Sequence, residues 1–503
     1  RQNPMGGGMA EEKESLLLGR FKKPFEVKDL PRFPGYAAMI GPGIIWAGLA
    51  QGSGELIWWP YVVAKYGLFF LSWLIFYASL QYWVNLEIAR YTMATGETIF
   101  EGFHRVHRIF GWITFIMCLI VLLWIGGYVS GGATALAALT KFPPGWDAAG
   151  QTRFWAEVTI ILIWILFVLG PVAYKVVEWA ETAAAMISFF GMLTAVLLSP
   201  AVAKVAGEFF PALVPWYASG FSMLPANFDP ADMNIFITLI AYTGMGGFWN
   251  LLYSFWVRDK NAAMAAHIGR VTSPVTGKPE PIPGVGVAFR DTEEVRKSWR
   301  EWMSWQWVEN LIGVVLNTLT IVLATLLTYA VLRPEYLATG KLPSGWKLVV
   351  YQAEWLGHVW GDVGRGILYL VGFFFLADSY IGALDGAGRM VASNLYTLPK
   401  VPERVEYRKI YYYTVTIFTV IGMITVLVEQ PGPLLLATGV TNMLIMVLFT
   451  WVFFYQNFYL LPRIHPAGKV VRPSWIVFVF LLISAIFFTY SFILYLGVTF
   501  KLW

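Results

Sequence analysis

Polar and charged residues interrupt two otherwise apolar segments of this chain. In the first, Gln51, Gly52, Ser53, Gly54 and Glu55 follow an apolar run that begins at residue 41. A glycine costs about 1 kcal/mol relative to alanine at a helix position, and a carboxylate buried in a membrane is costlier. A bilayer accepts such a run where the helix breaks and its freed backbone groups line a cavity. The sequence therefore predicts a broken helix here, with a polar site at the break.

A second interruption lies about two hundred residues later, between Tyr242 and Asn250, where Gly244, Gly246 and Gly247 weaken the helix. Paired breaks at corresponding places in two halves of a membrane chain indicate the substrate site of an inverted-repeat transporter. We therefore expect the two breaks to meet.

The groups at the two breaks offer oxygen ligands to a cation. Glu55 is the first candidate ligand, and the carbonyl ends of the first half-helix would favour a positive charge beside it. The full candidate site adds Asn250, Ser53, Gln51 and the backbone at Gly52, Gly246 and Gly247. Oxygen ligands suit Mg²⁺, Ca²⁺ or Mn²⁺. Two alternatives stay open: Glu55 pairs with a basic residue or faces an external vestibule, and Asn250 caps the second half-helix.

Other acidic residues fall in apolar segments too. Asp378 lies deep in one of them, which makes it a candidate for the ion site; the alternative is a neutral, hydrogen-bonded side chain. Asp385 precedes Arg389 by four residues, the spacing of a structural helix pair. Three more acids (Glu309, Glu178 and Glu181) are predicted to lie at the membrane interface.

The composition indicates the class of protein in which these residues lie. The chain is 57% hydrophobic and 13% charged, whereas soluble proteins carry about a quarter charged residues. We predict an all-α integral membrane protein in the bilayer that does not bind nucleic acid, and the single Cys118 excludes an internal disulfide. At about 20 residues a crossing, eleven transmembrane helices are expected: 36–65 (broken), 67–93, 108–138, 153–171, 175–199, 231–257 (broken), 304–332, 362–388, 408–428, 432–460 and 473–499.

The distribution of Lys and Arg predicts the orientation. Basic residues concentrate in the tail 1–35 and in alternate loops, of which 258–300 is the longest. This pattern favours a cytoplasmic N-terminus, an outside C-terminus and location in the cell inner (plasma) membrane. The transporter domain would span 36–503, with 258–300 as a cytoplasmic loop and 333–361 outside, where 348–356 is predicted to form an interfacial helix.

Several short motifs resemble the Nramp family of divalent-metal transporters. They are Gly41-Pro-Gly43, Lys65-Tyr-Gly67, Ala94-Thr-Gly-Glu-Thr98, the run from Val129 to Leu136, and the run from Asp385 to Val391. The resemblance extends from about residue 36 to about residue 395. It implies a LeuT-type arrangement of two inverted five-helix repeats (5+5), in which helices 1 and 6 are broken.

The family's functional residues mostly do not carry over. The family has Asp-Pro-Gly-Asn where this chain has Gly52-Ser53-Gly54-Glu55, and Met-Pro-His-Asn where it has Gly247-Phe248-Trp249-Asn250, so only Asn250 is retained. An acidic pair that the family uses for proton movement corresponds to Ile125 and Tyr128, and a family histidine corresponds to Ser254. The resemblance therefore implies neither a soft-metal site nor that proton route.

The preferred hypothesis is a secondary transporter of divalent cations, not an enzyme, with no cofactor and with the cation as its ligand. A coupling ion is possible, and the oligomeric state is open. The alternative is a LeuT-fold transporter of a small organic solute, cations included, because the glycines at the breaks leave space and Phe248 and Trp249 offer stacking surfaces. A third possibility is a non-transporting sensor or accessory subunit.

Overall fold

A computed structural model describes residues 21–170, 172–244, 246–273, 275–278, 280–342, 347 and 349–502. Nearly all regular structure in these ranges is helical; the strands β1 (Glu26–Val27) and β2 (Val287–Ala288) form one short parallel pair. The helices that make up the predicted spans are α1 (Pro42–Ala50), α2 (Trp59–Tyr66), α3 (Leu71–Thr95), α4 (Arg108–Leu122), α5 (Gly126–Thr140), α6 (Ala148–Leu169), α7 (Ala173–Leu198), α8 (Met233–Tyr242), α9 (Phe248–Asp259), α10 (Glu293–Leu327), α11 (Glu354–Tyr396), α12 (Tyr407–Val428), α13 (Pro431–Phe453) and α14 (Trp475–Thr499).

Shorter helical pieces connect or extend these helices. They are Tyr36–Met39, Gly54–Trp58 (π-helical), Ile99–Val106, Pro200–Phe209, Phe210–Leu213, Pro230–Asp232, Ala263–His267, Thr328–Leu332 (π-helical), Arg333–Thr339, Tyr351–Ala353, Val401–Arg404, Phe454–Leu460 (π-helical), Leu461–Ile464 and Gly468–Val471.

The outer helices present apolar side chains to their surroundings, as a bilayer requires. Ile116, Leu197 and Val428 are more than half exposed, while the interior is filled by Trp, Tyr and aliphatic side chains. Within the described residues, eight helical stretches are long and apolar enough to cross a membrane. The predicted all-α membrane architecture is confirmed. The count of eleven crossings stays a prediction, because α3 and the two broken spans lie outside those eight.

Both predicted breaks are present. α1 ends at Ala50, and Gln51 leaves the helical conformation (φ −69°, ψ 81°) before a π-helical turn starts at Gly54. α8 ends at Tyr242, and α9 begins after Gly247, whose positive φ of 72° favours glycine. A Cβ atom placed on Gly54 would lie 2.7 Å from Cβ of Tyr242, so the two breaks touch.

The half-helix after the first break, α2, and the half-helix before the second break, α8, are joined at the ends that lie away from the breaks. Lys65, at the end of α2, forms an ion pair with Asp232 at 2.8 Å, just before α8. The hydroxyls of Tyr61 and Tyr66 donate hydrogen bonds to the same carboxylate. The first and sixth spans are therefore tied to each other at this end.

The predicted loop 258–300 contains helix at both ends and an ion pair between them. α9 extends to Asp259 and α10 starts at Glu293, so helix occupies both ends of 258–300. Between them, Arg270 forms an ion pair with Glu280 at 2.9 Å and lowers the pKa of that carboxyl. The sidedness of the loops stays a prediction.

The predicted interfacial helix 348–356 is different in the structure. Leu348 lies outside the described residues, and a short 3₁₀ turn at Tyr351–Ala353 leads into α11. Gln352 and Trp355 are buried in the protein, and Nε2 of Gln352 donates to the backbone oxygen of Leu56 at 2.9 Å. The segment therefore packs on the first span rather than lying on a membrane surface.

A buried ionic cluster joins the ends of α9 and α11. The expected pair is present, since Nε of Arg389 donates to both carboxylate oxygens of Asp385 at 2.8 Å. Arg389 also forms an ion pair with Asp259, and Tyr411 of α12 donates to Asp385 at 2.7 Å. Arg389, Asp385 and Asp259 are at most 2% exposed, so the cluster fixes the end of α9 to α11 and α12.

Replacing Arg389 by Met is predicted to destabilise the protein by about 3–5 kcal/mol, because two buried carboxylates lose their counter-charge. Thermal unfolding of the purified protein, followed by tryptophan fluorescence, measures the effect. The control is Arg408→Met, whose guanidinium pairs with Glu406 near the surface. Equal melting temperatures for the two variants would contradict the structural role of the cluster.

Candidate functional site

The Glu55 carboxylate lies inside the protein at the first break. Its Oε2 accepts a hydrogen bond from the backbone N–H of Gly52 at 2.9 Å, and its Oε1 accepts one from Nδ2 of Asn317 on α10, also at 2.9 Å. The side chain is fully buried and has no ion-pair partner among the described residues. Glu55 therefore has no basic partner among the described residues. Its complete burial also excludes a position that faces an external vestibule.

Gln51 is also held by α10, because its Nε2 donates to Oγ1 of Thr320 at 2.8 Å. Its Oε1 has no hydrogen-bond partner in the described ranges, and the hydroxyl of the buried Ser53 likewise has none. The first break thus contains two hydrogen-bonded carboxylate oxygens and two buried oxygens without a hydrogen-bond partner among the described residues.

At the second break, the cap of α9 comes from another helix. The backbone N–H of Phe248 donates to Oδ1 of Asn442 on α13 at 2.8 Å. Asn250 instead turns toward α3, and its Nδ2 donates to Oδ1 of Asn85 at 2.8 Å and to Oε1 of Gln81 at 3.0 Å. The alternative in which Asn250 caps the half-helix is therefore wrong. Its own Oδ1 has no partner among the described residues.

A small cavity lies between the breaks. Its water-accessible volume is about 20 Å³, and it is lined by Leu49, Ala50, Gly52, Ser53, Gly54, Tyr128, Tyr242, Trp249 and Ser379. This is room for about one water molecule. Of the predicted site residues, only Gly52 and Ser53 line it. The others lie around the breaks but do not line the cavity: Gln51, Glu55, Asn250, Asp378, Gly246 and Gly247.

Aromatic side chains form one wall of this cavity. The hydroxyl of Tyr128, on α5, donates to the hydroxyl of Tyr242 at 2.9 Å, and the ring of Trp249 packs edge-on against Tyr128 at 5.9 Å. The indole N–H of Trp249 has no partner in the described chain. In the sequence, Tyr128 stands out only as the position of an acidic residue of the family, whereas the structure places Tyr128 at the cavity.

Two further carboxylates approach the end of α1. Asp378 on α11 is 1% exposed; its Oδ1 accepts a hydrogen bond from the N–H of Ser379 at 2.6 Å, and its Oδ2 has no partner among the described residues. Glu181 on α7 was expected at the membrane interface, and this is wrong, because it is fully buried between α1 and α11. The signal that could have indicated its burial is an ionisable residue inside an apolar span.

Three buried acids, Glu55, Glu181 and Asp378, lie around the end of α1. Asp378 interacts electrostatically with Glu181 and, more weakly, with Glu55. No three His, Cys, Asp or Glu side chains of the described residues converge as a metal-ligand cluster. A cation at the breaks would therefore need amide, hydroxyl or backbone oxygens in addition to carboxylates.

Neither a protein-family model nor a curated protein matches the sequence. Solved structures do match the fold. A manganese transporter of Eremococcus coleocola, in complex with an aromatic bis-isothiourea substituted compound, superposes with a TM-score of 0.61 over 96% of this chain and 92% of that chain, at 13% identity. MhsT in complex with L-phenylalanine superposes with a TM-score of 0.57 over 93% of this chain and 99% of that one, also at 13% identity. This chain has the fold of Nramp-type and LeuT-type transporters.

The short helix α1 is held at its start by a side chain of another helix. Its N-terminus is capped by Glu309 of α10, whose Oε1 accepts hydrogen bonds from the N–H groups of Gly41 at 2.9 Å and Gly43 at 2.8 Å. Glu309 is 1% exposed, so the prediction that it anchors at the membrane interface is wrong. A carboxylate at this position satisfies unpaired N–H groups and complements the helix dipole. Glu178 is half-buried and pairs with Lys260 at 3.0 Å.

Replacing Glu309 by Ala is predicted to cost about 1–3 kcal/mol of stability, because two buried N–H groups lose their acceptor. Glu309→Gln keeps a carbonyl oxygen of the same reach, so we expect a smaller loss. Denaturant unfolding of both variants in detergent measures the difference. A Glu309→Ala variant as stable as the parent chain would contradict the cap.

Proposed function

We propose that this protein is a secondary transporter that moves a divalent cation of the hard class, such as Mg²⁺ or Mn²⁺, by alternating access. The cation would bind at the two breaks, with Glu55 and Asp378 as charged ligands. Neutral oxygens would come from Asn250, Ser53, Gln51 and the backbone at Gly52, Gly246 and Gly247. The observation that carries this proposal is the group of three buried carboxylates without an ion-pair partner among the described residues.

Charge is the first reason. Removing an ionised carboxylate from water costs several kcal/mol unless an opposite charge or hydrogen bonds compensate for it. Of the three acids, only Glu55 has both oxygens hydrogen-bonded by normal geometry. A divalent cation at the breaks would compensate for the remaining charge. The carbonyl end of α1 adds a negative partial charge in the same place.

Ligand chemistry is the second reason. An ionised carboxylate has about four lone-pair directions, so Glu55 can accept its two hydrogen bonds and still bind a cation. The unpartnered oxygens of Gln51, Ser53, Asn250 and Asp378 are all hard ligands. The proposal therefore favours Mg²⁺ or Mn²⁺ over ions that prefer sulfur.

The small cavity supports the same class of substrate. About 20 Å³ of water-accessible space holds an ion or a water molecule, whereas an amino-acid-sized solute would require the half-helices to separate. The fold that this chain shares with a manganese transporter agrees with a cation substrate.

Replacing Glu55 by Gln is predicted to reduce uptake of Mn²⁺ and Mg²⁺ into proteoliposomes at least tenfold, which corresponds to about 1.4 kcal/mol. The substitution keeps the shape of the side chain and removes its charge. Glu157→Gln, at a half-buried carboxylate on α6, is the matched control and should transport as the parent chain does. Unchanged uptake by Glu55→Gln would refute the proposed role.

The aromatic wall favours a second candidate, a transporter of a small organic cation. Tyr128, Tyr242 and Trp249 line the cavity, and the indole N–H of Trp249 has no partner among the described residues. Aromatic faces attract cations. MhsT, which has a similar fold, is seen in complex with L-phenylalanine.

A thermal-shift screen of divalent metals against amines and amino acids separates the two candidates. The cation proposal predicts stabilisation by Mn²⁺ or Mg²⁺ that is absent in Glu55→Gln, following the linkage between binding and stability. Stabilisation by organic ligands alone would favour the second candidate.

A further inference from the structure

A large cavity lies between the N-terminal segment and the start of α10. Its volume is about 830 Å³, within the range of roughly 300–1,000 Å³ that is typical of small-molecule sites. It is lined by residues of the segments 27–32 and 289–301. None of the described residues that line it belongs to the cavity at the breaks, so the proposed cation transport does not account for it.

Protein contacts hold the two walls of this cavity together. The backbone N–H of Lys28 donates to the backbone oxygen of Ala288 at 2.8 Å, beside the short pair of β1 and β2. The indole N–H of Trp302 donates to the backbone oxygen of Pro31, also at 2.8 Å. These bonds fix the N-terminal segment beside α10, so the shape of the cavity is set by the chain itself.

Charges of both signs line the cavity without pairing. Seven of the lining residues are charged, and one of them, Lys28, pairs with Glu26 at 3.4 Å. The other six form no ion pair with any described residue. Three are basic and three are acidic: Arg32, Arg290 and Lys297, and Asp29, Glu294 and Glu301. Equal numbers of free charges of both signs suit a ligand that itself carries one charge of each sign.

One face of α10 leads from the cavity into the membrane. Glu294, Lys297 and Glu301 follow one another at intervals of three and four residues, the spacing of a single helix face. The same face continues through Val308 and Leu311, which are 43% and 51% exposed. Exposed apolar side chains on a membrane-spanning helix mark contact with lipid. A lipid whose headgroup enters the cavity would therefore find a surface for its acyl chains directly below.

The charged part of this face lies at the depth of lipid headgroups. The predicted span begins at residue 304, and Glu301 and Lys297 precede it by about 5 and 10 Å at a rise of 1.5 Å per residue. The headgroup layer on each side of the hydrocarbon is about 5–8 Å thick. Glu301 therefore lies within this layer, and Lys297 lies near its outer edge.

We propose that this cavity, the headgroup cavity, binds a zwitterionic membrane lipid of the phosphatidylethanolamine class. The guanidinium groups of Arg32 and Arg290 and the ammonium group of Lys297 bind the lipid phosphate, because charge-assisted hydrogen bonds to phosphate are strong. The carboxylates of Glu294 and Glu301 accept hydrogen bonds from the ammonium group of the lipid.

The lining distinguishes a primary ammonium group from the quaternary ammonium group of phosphatidylcholine. A primary ammonium donates three hydrogen bonds, which the free carboxylates can accept. A quaternary ammonium has no N–H to donate and is typically recognised by several aromatic faces. Phe289 is the one aromatic residue among the described residues that line the cavity, and its side chain is fully buried. The headgroup cavity therefore favours phosphatidylethanolamine over phosphatidylcholine.

Calorimetric titration of the full-length, delipidated protein in detergent tests the headgroup cavity with three short-chain lipids: dihexanoyl phosphatidylethanolamine, phosphatidylcholine and phosphatidylglycerol. The parent chain should bind phosphatidylethanolamine about tenfold more tightly than either other lipid, a difference of about 1.4 kcal/mol. Arg290→Gln should weaken the binding of phosphatidylethanolamine and phosphatidylcholine by similar factors of about five, because both lipids carry the phosphate.

The acidic residues should control selectivity instead. The double variant Glu294→Gln with Glu301→Gln should reduce the preference for phosphatidylethanolamine over phosphatidylcholine from about tenfold to about twofold or less, because the ammonium group loses its charged acceptors. Glu293→Gln is the matched control, since Glu293 adjoins Glu294 but does not line the cavity. It should bind all three lipids as the parent chain does.

Several outcomes would overturn this inference. Equal affinity of the parent chain for phosphatidylethanolamine and phosphatidylcholine would do so, as would unchanged selectivity in the double variant. Tighter binding of phosphatidylglycerol would indicate a site for anions alone. Glycerophosphoethanolamine, the same headgroup without acyl chains, should bind more weakly; equal affinity would indicate a soluble phosphate ester as the ligand. If a variant does not fold, the comparison of these four ligands on the parent chain decides the question.

Discussion

The hydrogen bonds accepted by the Glu55 carboxylate are the interaction on which this architecture depends. A helix that stops inside a membrane leaves backbone groups without partners, and hydrocarbon offers none. Glu55 accepts the N–H of Gly52 within the break and joins the break to α10 through Asn317. Asn442 has the same role at the second break, because its side-chain oxygen accepts a hydrogen bond from the N–H of Phe248. At each interruption a polar side chain thus satisfies one backbone N–H group that the helix leaves without a partner.

Charge is distributed unevenly along the helices. At the ends, acids have partners: Asp232 has Lys65, Glu178 has Lys260, and Arg389 lies between Asp259 and Asp385. At mid-depth, Glu181 and Asp378 have no ion-pair partner among the described residues. Paired charges hold helix ends together, whereas a buried carboxyl group without a counter-charge is left to bind a proton or a cation.

The sequence predicted the features that depend on neighbouring residues. Consecutive glycines and a carboxylate in an apolar run predicted the first break, and the four-residue spacing predicted the pair of Asp385 and Arg389. It could not predict partners that are far apart in the chain: Glu309 caps Gly41 across 268 positions. Hydropathy also failed for Glu181, because a helix that is apolar all round does not show which of its faces meets lipid and which meets protein.

The shared carboxylate of Asp232 constrains how α2 and α8 can move relative to each other. Lys65, Tyr61 and Tyr66 all bind it, so a swing of α2 away from α8 must give up an ion pair and two hydrogen bonds at once. The two half-helices are therefore coupled at this end, so a displacement of one either breaks these three contacts or moves the other with it.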